Sequence, residues 1–127
     1  MKGPQSDYRL TSIRRSLSKV KKVILTCSSK GGVGKSVISA LLAIRLRESG
    51  FSTGILDVDF GAPAIQYLFG VHQASITEGA MGILPPEAGG IKLMASSFFV
   101  HDKSLPLRGD SKVNALRAIL SITNWGL

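Results

Sequence analysis

The residues most suited to chemistry lie in a glycine-rich segment, residues 30–36, which reads Lys-Gly-Gly-Val-Gly-Lys-Ser. Glycines leave no side chain between the main chain and a ligand, so successive N–H groups can converge on phosphate oxygens. The ammonium group of Lys35 can neutralise the β- and γ-phosphates of a nucleotide, and the hydroxyl of Ser36 can bind a Mg²⁺ ion that bridges them. The segment therefore predicts a nucleoside triphosphate site that uses magnesium.

The same segment has a simpler interpretation, a tight turn between a strand and a helix in which Lys35 and Ser36 are ordinary first-turn residues. The three glycines, two lysines and serine at these offsets favour phosphate binding. A dinucleotide fingerprint is excluded, because its third glycine would stand at position 37, where the chain has Val37. We therefore expect no nicotinamide or flavin cofactor.

Two aspartates, Asp57 and Asp59, end an apolar stretch over residues 52–58 that predicts a β-strand. Side-chain direction repeats every two residues in a strand, so the two carboxylates share one face at its C-terminal end. Ligands bind at this edge of open parallel sheets. One carboxylate could hold Mg²⁺ and the other could orient the water that attacks the γ-phosphate. The alternative is a pair of solvated loop acids.

The elements around the glycine-rich segment would position these residues. Residues 23–27 are apolar and rich in β-branched types, which is typical of a buried parallel strand. Residues 35–49 are apolar around most of a helical circumference and are followed by Gly50, which predicts a buried helix closed by glycine. With the strand over residues 52–58, they predict one right-handed βαβ unit.

The remaining sequence predicts shorter elements. They are a short helix over residues 64–69, a loop over residues 72–90, a third strand over residues 91–95, and a last helix, capped by Asp110 or Ser111, that runs to about residue 123. The order of strands and helices predicts an α/β domain.

Composition limits the class of protein. A chain of 127 residues with 44% apolar and 19% charged residues is the size of one globular domain. Its single cysteine, Cys27, cannot form an internal disulfide, and no apolar stretch approaches the ~20 residues that cross a bilayer. The pattern of a secretory signal is also missing, so we expect a soluble cytoplasmic protein with no integral membrane segment.

Positive charge is concentrated in residues 1–22, which carry +6 of the formal net charge of +8. We interpret residues 1–22 as a basic N-terminal segment with a helix over about residues 10–21, and residues 23–127 as the main domain. The basic segment is either a solvated helix or a site for nucleic acid, an anionic membrane or another polyanion. The solvated helix is favoured, because apolar residues recur in it at helical spacing and could dock on the domain.

The string over residues 30–36 resembles the deviant P-loop of the MinD and ParA superfamily. The general P-loop pattern has glycine where this chain has Ser29, and the superfamily accepts a variable small residue there. The resemblance implies a P-loop NTPase-type three-layer α/β fold with a mostly parallel sheet. It also implies that Lys30 reaches across a nucleotide-sandwich homodimer to the partner's phosphates, that Asp57 belongs to the magnesium shell, and that Asp59 orients the attacking water.

Four segments resemble the Mrp and ApbC branch of this superfamily, the ATP-dependent iron–sulfur cluster carriers. They are residues 57–64 (Asp-Val-Asp-Phe-Gly-Ala-Pro-Ala), 91–96 (Ile-Lys-Leu-Met-Ala-Ser), 107–110 (Leu-Arg-Gly-Asp) and 125–126 (Trp-Gly). The departures from the branch pattern are Ala62 for glycine, Ala64 for serine, Leu107 for tryptophan and Asp110 for proline. In the branch, Trp-Gly is followed by a strand and loop that complete the magnesium site and by a C-x-x-C pair that ligates the cluster. The chain therefore resembles the N-terminal half of such an ATPase, with an incomplete sheet whose edges are open.

The resemblance, together with the motif, defines the expected site. The expected nucleotide-binding residues are Lys30, Gly31, Gly32, Val33, Gly34, Lys35, Ser36 and Val37. The expected catalytic residues are Lys30, Lys35 and Asp59. The expected magnesium ligands are Ser36 and Asp57. ATP and Mg²⁺ are the expected cofactors. An iron–sulfur cluster is expected only in the full-length family, because Cys27 alone cannot supply its ligands.

The leading interpretation is an Mrp-type ATPase fragment with weak hydrolysis of its own, which in full-length form would couple ATP turnover to iron–sulfur cluster transfer. Its expected partners are a second copy in a homodimer and an iron–sulfur apoprotein or scaffold, with nucleic acid less favoured. One alternative is a MinD- or ParA-like switch in which ATP drives dimerisation and the basic segment holds membrane or DNA. Another is a non-catalytic nucleotide-binding scaffold.

Overall fold

The computed structural model describes residues 7–71, 76–99 and 112–127. The helices are α1 (Tyr8–Ser16), α2 (Lys35–Glu48), α3 (Ile65–Leu68) and α4 (Lys112–Ile122), and a 3₁₀ turn covers Ser96–Phe99. The strands are β1 (Thr53–Asp57), β2 (Thr77–Gly79), β3 (Gly82–Leu84), β4 (Glu87–Ala88) and β5 (Ile91–Ala95).

The main sheet has three described strands in the order β1-β5-β4. β1 and β5 run parallel, with Thr53 opposite Ile91 and Asp57 opposite Ala95. β4 pairs with β5 in the antiparallel direction, and β2 and β3 form a separate hairpin. The parallel pair brings the ends of β1 and β5 to the same edge of the sheet, where Asp57 lies.

Hydrophobic side chains cover both faces of this sheet. On one face Ile91 and Leu93 of β5 pack with Ala40 and Ala43 of α2 and with Ile65 of α3. On the other face the buried cluster consists of Met94, Phe99, Ile119 and Trp125. Neighbouring residues of β5 belong to different clusters because side chains alternate across a strand. This arrangement of helices on both sides of a sheet with a parallel pair confirms the predicted α/β layered fold.

The predicted strand over residues 23–27 is wrong for the described structure, since these residues form no regular secondary structure. Val23 is 77% and Leu25 is 82% exposed. A buried strand must pair its N–H and C=O groups with a neighbouring strand, and no described strand pairs with these residues. The predicted parallel pairing of residues 23–27 with the strand over residues 52–58 is therefore also wrong. The described partner of β1 is β5.

The prediction of a buried helix over residues 35–49 is confirmed in position but wrong in burial. α2 ends at Glu48, and Gly50 has the expected positive φ of 90°. Ala40 and Ala43 are its buried residues, whereas Val37, Ile38 and Leu41 are exposed. One side of α2 packs on the sheet, and the apolar side chains outside that contact meet no described layer.

The remaining elements follow the predictions with two differences. β1, α3 and β5 lie within the predicted ranges, and α4 ends close to the predicted residue. The predicted loop over residues 72–90 contains β2, β3 and β4, because paired backbone groups stabilise even these short, glycine-punctuated pieces. The predicted capping residues, Asp110 and Ser111, lie outside the described residues.

The basic N-terminal segment docks on the domain through α1. The helix is shorter than predicted and packs along α4, and Leu17 contacts the Trp125 cluster. The Ser16 hydroxyl donates to the Thr123 carbonyl. At its start Asp7 caps the helix and accepts a hydrogen bond from the Arg9 side chain, which lowers the pKa of the Asp7 carboxyl. Among the described residues, no helix is long and apolar enough to cross a membrane.

We expect Gly54→Ala to lower the free energy of unfolding by about 1–3 kcal/mol, because a Cβ atom there overpacks the core. It would lie 2.8 Å from Cζ3 of Trp125, so the indole ring must shift. Urea unfolding followed by Trp fluorescence measures the change. Gly31→Ala is the matched control, since a Cβ at Gly31 meets no atom within 4 Å. Equal stability of Gly54→Ala and the unchanged chain would contradict this packing.

Candidate functional site

The glycine-rich segment forms the turn into α2. Gly32 and Gly34 have positive φ angles of 72° and 93°, a conformation that L side chains rarely adopt. Gly34 is the N-cap of α2, so it has no side chain to cap the helix, and its carbonyl accepts a hydrogen bond from the Ile38 N–H. The first N–H groups of α2 therefore point out without a side-chain cap, at the positive end of the helix dipole. Such a helix start is suited to bind an anion.

Asp57 is the buried carboxylate of the site and anchors the loop that follows β1. Asp57 is the last residue of β1 and is only 7% exposed. Its Oδ1 accepts a hydrogen bond from the Asp59 N–H at 3.0 Å, and its Oδ2 accepts from the N–H groups of Ala64 and Ile65 at 3.1 and 3.2 Å. These bonds tie the end of β1 to the start of α3, so Asp57 has a fixed position.

Asp59 joins the same loop to α2. Its Oδ1 accepts hydrogen bonds from the N–H groups of Ala62 and Gly61, at 3.0 and 3.1 Å. Its Oδ2 lies 3.4 Å from Nζ of Lys35, and both side chains are 33% exposed. The hydrogen bonds from the Ala62 N–H and then the Gly61 N–H lower the pKa of the Asp59 carboxyl, burial opposes them, and the Lys35 ammonium lowers it further. Asp59 is therefore ionised at neutral pH.

A cleft of about 350 Å³ brings the predicted chemistry together. Residues that line it include Lys35 and Ser36 from the start of α2, and Asp57 and Asp59 from the end of β1. Lys30 does not line this cleft and is exposed. The sequence predictions for Lys35, Ser36, Asp57 and Asp59 therefore fall on one site. The other predicted nucleotide-binding residues lie outside its lining, namely Lys30, Gly31, Gly32, Val33, Gly34 and Val37.

Two further residues of the cleft were missed from the sequence. Lys112, the first residue of α4, and Cys27 also line it. Lys112 is 77 positions from Lys35 in the chain, so no local motif connects them. A lysine at the start of a helix is too common a feature to indicate a phosphate site by itself. Cys27 falls in the predicted buried strand over residues 23–27, but it is exposed.

The donor set fits a magnesium nucleotide. Mg²⁺ prefers oxygen ligands and takes few of them from the protein, keeping several waters and the phosphates of the substrate. The cleft offers the Ser36 hydroxyl and the carboxylates of Asp57 and Asp59. Within the described ranges there is no cluster of three or more His, Cys, Asp and Glu side chains that could hold a metal ion.

Comparison with known proteins identifies the family to which the chain belongs. The family described as "ParA: NUBPL iron-transfer P-loop NTPase" matches residues 19–127. The chain belongs to this family. It is 40% identical over 123 residues to an iron-sulfur cluster carrier protein of Methanococcus maripaludis, covering 94% of this chain and 43% of that protein. It is 37% identical over 121 residues to the cytosolic Fe-S cluster assembly factor CFD1 of Chaetomium globosum, covering 87% of this chain and 40% of that protein.

A solved structure supports the fold. The nucleotide-binding protein of Archaeoglobus fulgidus, in complex with ADP, superposes with a TM-score of 0.78 and 32% identity, over 91% of this chain and 44% of that chain. The predicted resemblance to iron–sulfur carrier ATPases and the predicted P-loop fold are thus confirmed. The chain spans less than half the length of these family members.

We expect the stabilising effect of the Asp59 carboxylate to disappear in acid. Because the native pKa of Asp59 lies below the ordinary value of an aspartate, the carboxylate stabilises the fold above about pH 4, and this contribution is lost as the pH falls through the lowered pKa. Asp59→Asn should therefore be less stable than the unchanged chain near pH 7, and the difference should shrink near pH 3. Urea unfolding at both pH values measures it, with the exposed Glu78→Gln as control. A difference that stays constant or grows in acid would contradict this role.

Proposed function

We propose that this chain binds Mg·ATP through residues 30–37 and is the nucleotide-binding part of an iron–sulfur cluster carrier ATPase. The observation that carries the proposal is one cleft in which Lys35, Ser36, Asp57 and Asp59 meet at the uncapped start of α2. The ADP bound to the similar Archaeoglobus fulgidus protein supports the ligand class. A positive helix end, an ammonium group and carboxylates suited to Mg²⁺ are the parts that a triphosphate requires.

Each side chain has a proposed role that follows from its contacts. The Lys35 ammonium binds the β- and γ-phosphates. It is available for this role because the side chain is partly exposed and its ion pair with Asp59 is long. Ser36 and the fixed Asp57 hold Mg²⁺, which neutralises charge on the phosphates when bound. Asp59, released from Lys35 but still held by two backbone N–H groups, orients the water that attacks the γ-phosphate.

Lys30 is proposed to act on a second copy of the chain. Its exposure and its place outside the cleft suit a side chain that contacts the phosphates bound by a partner in a homodimer. The catalytic set would then be Lys30 from one copy and Lys35 and Asp59 from the other. We expect weak hydrolysis by this chain alone, because more than half the length of its relatives has no counterpart in it.

The proposed cargo and location follow from the names of the relatives. The relatives above are named as iron–sulfur cluster carrier and assembly factors. We therefore propose that ATP turnover in the full-length protein drives transfer of an iron–sulfur cluster to an apoprotein or scaffold. The cluster is cargo and is not ligated by Cys27 alone. A cytoplasmic location agrees with the cytosolic description of the Chaetomium globosum protein.

A positioning switch is the second candidate, and the exposed basic side chains around α1 favour it. Arg14, Arg15, Lys19, Lys21 and Lys22 are all exposed. Such a cluster gains affinity for DNA or anionic lipid by releasing counterions. Salt-dependent binding to either, lost when these five residues are changed to Gln, would favour the switch over the carrier. Since α1 packs on α4, substitution tests this better than deletion of residues 1–22.

We expect Lys35→Ala to weaken Mg·ATP binding about tenfold or more, because it removes a charge-assisted contact with the phosphates. Isothermal titration calorimetry with Mg·ATP measures the affinity. Arg45→Ala is the matched control, since Arg45 is an exposed cation at the other end of α2. Unchanged affinity of Lys35→Ala, or no heat of binding for the folded unchanged chain, would overturn the proposed nucleotide site.

Lys112 is a second test of the same cleft. We expect Lys112→Ala to weaken Mg·ATP binding about threefold to tenfold, because its ammonium lies on the same cleft but on a different helix from the glycine-rich turn. Lys19→Ala, an equally exposed charge removal outside the cleft, should bind as the unchanged chain does. Equal affinities of all three proteins would remove Lys112 from the site.

A further inference from the structure

We propose that the chain binds a small oxyanion, a phosphate or a carboxylate, in a second pocket at the opposite edge of the main sheet from the nucleotide cleft. The pocket has a volume of about 330 Å³, and its lining comes from the last turn of α2, the start of β1, and β4 and β5. Arg47 of this pocket follows Lys35 by twelve residues on α2, which places the two residues about 18 Å apart along the helix axis. The pocket is therefore separate from the nucleotide cleft.

The Arg47 side chain is held over the turn between β4 and β5. This turn consists of Gly89 and Gly90, whose φ angles are 59° and 76°. A Cβ atom at Gly90 would lie 2.9 Å from Nη2 of Arg47 and still closer to its Nε, so the turn has room for this side chain only because residue 90 is glycine. Arg45, in the same last turn of α2, pairs with Glu48 instead. A favourable interaction with the helix dipole would require neither the contact with Gly90 nor a glycine there.

The two cations of the pocket have N–H groups available for a ligand. The Arg47 guanidinium makes no hydrogen bond or ion pair with any of the described residues. The Lys92 ammonium donates to the carbonyls of Trp125 and Gly126, at 2.6 and 3.2 Å, which fixes its position and leaves its third N–H for another acceptor. A guanidinium fork and a fixed ammonium on one cavity suit the oxygens of a phosphate or a carboxylate.

The acid of the pocket does not neutralise these cations by direct contact. Glu87 lines the same pocket and lies opposite Lys92 in the antiparallel ladder of β4 and β5. It forms an ion pair with neither Lys92 nor Arg47. Two cations against one acid leave the pocket with a positive charge, which favours an anionic ligand.

The volume and the charge of the pocket indicate the size of the ligand. Small-molecule sites have volumes of roughly 300–1,000 Å³, and this pocket is at the lower end of that range. A nucleic acid requires a row of cations along its backbone, whereas this pocket offers one guanidinium and one ammonium. One phosphate or carboxylate group matches these donors.

Titration followed by ¹H–¹⁵N NMR separates this pocket from the glycine-rich turn over residues 31–36. The probes are inorganic phosphate and, in a second titration, succinate, with sodium chloride at equal ionic strength as the blank. We expect the amide signals of Thr53, Gly90 and Lys92 to shift and to saturate with at least one of the probes, and the stronger probe identifies the preferred group. These shifts should persist in Lys35→Ala, which is altered only at the nucleotide cleft.

The adjacent glycines of the turn provide a matched pair of variants. Gly90→Ala should weaken binding about tenfold or more, because its Cβ displaces the Arg47 guanidinium. Gly89→Ala has a similar strain from positive φ, but its Cβ meets no atom within 4 Å, so it should bind as the unchanged chain does. The difference between the two variants measures the contribution of the guanidinium position.

Side-chain variants test the same contacts without backbone strain, since Arg47 and Glu87 are both exposed. Arg47→Gln should weaken binding about tenfold or more, and Arg45→Gln, the matched loss of a cation from the same helix turn, should have no effect. Glu87→Gln should strengthen binding about threefold, because it removes a carboxylate that repels the ligand.

Three results would overturn the proposed oxyanion site. One is a titration in which phosphate and succinate shift only the amides of residues 31–36. Another is a set of shifts at Thr53, Gly90 and Lys92 that chloride reproduces at the same ionic strength. The last is binding that Arg47→Gln leaves unchanged. Arg47→Gln should bind Mg·ATP normally, so a failure of this site and a failure of the nucleotide site are distinguishable.

Discussion

The parallel pairing of β1 with β5 is the interaction on which the rest of this structure depends. It supplies the two-sided surface on which α2 and α3 pack from one side and α4 from the other. The strand pair also places Asp57, the last residue of β1, at the edge of the sheet beside the start of α2. Because the Asp57 carboxylate accepts three backbone N–H groups, the strand end, the following loop and α3 are held as one unit.

The site depends on that unit in a direct way. Asp59 is presented by the loop that Asp57 anchors, and the Asp59 carboxylate pairs with Lys35 at the beginning of α2. The two halves of the cleft are therefore joined by a charge pair that is long and partly exposed, and such pairs contribute little to stability. In the proposed nucleotide complex, a phosphate would compete with this weak partner for Lys35.

The same sheet explains why apolar residues remain exposed. Among the described strands β1 pairs with β5 alone, and α2 is apolar around a larger part of its circumference than the described sheet can cover. Val23, Leu25 and the outer side of α2 are thus exposed because no described strand or helix covers them.

The sequence by itself determined the local features. Gly32 and Gly34 take the positive φ angles that a phosphate-binding turn requires, α2 begins and ends close to the predicted residues, and β5 covers the predicted range, because short-range sterics and periodicity decide these properties. Family membership could also be predicted from the motif and its spacing. The cleft partners Lys35 and Asp59 were predictable because each belongs to a local pattern at an element boundary.

Tertiary structure alone decided which strands pair and what they leave uncovered. Residues 23–27 have the composition of a buried strand, but pairing requires a neighbour, and none is present among the described strands, so their apolar side chains are exposed. The same dependence on distant contacts brought Lys112 into the cleft, beside residues far from it in the chain. Local composition indicates which structure a segment can form. Whether its backbone groups pair and its side chains are buried depends on which other segments lie beside it.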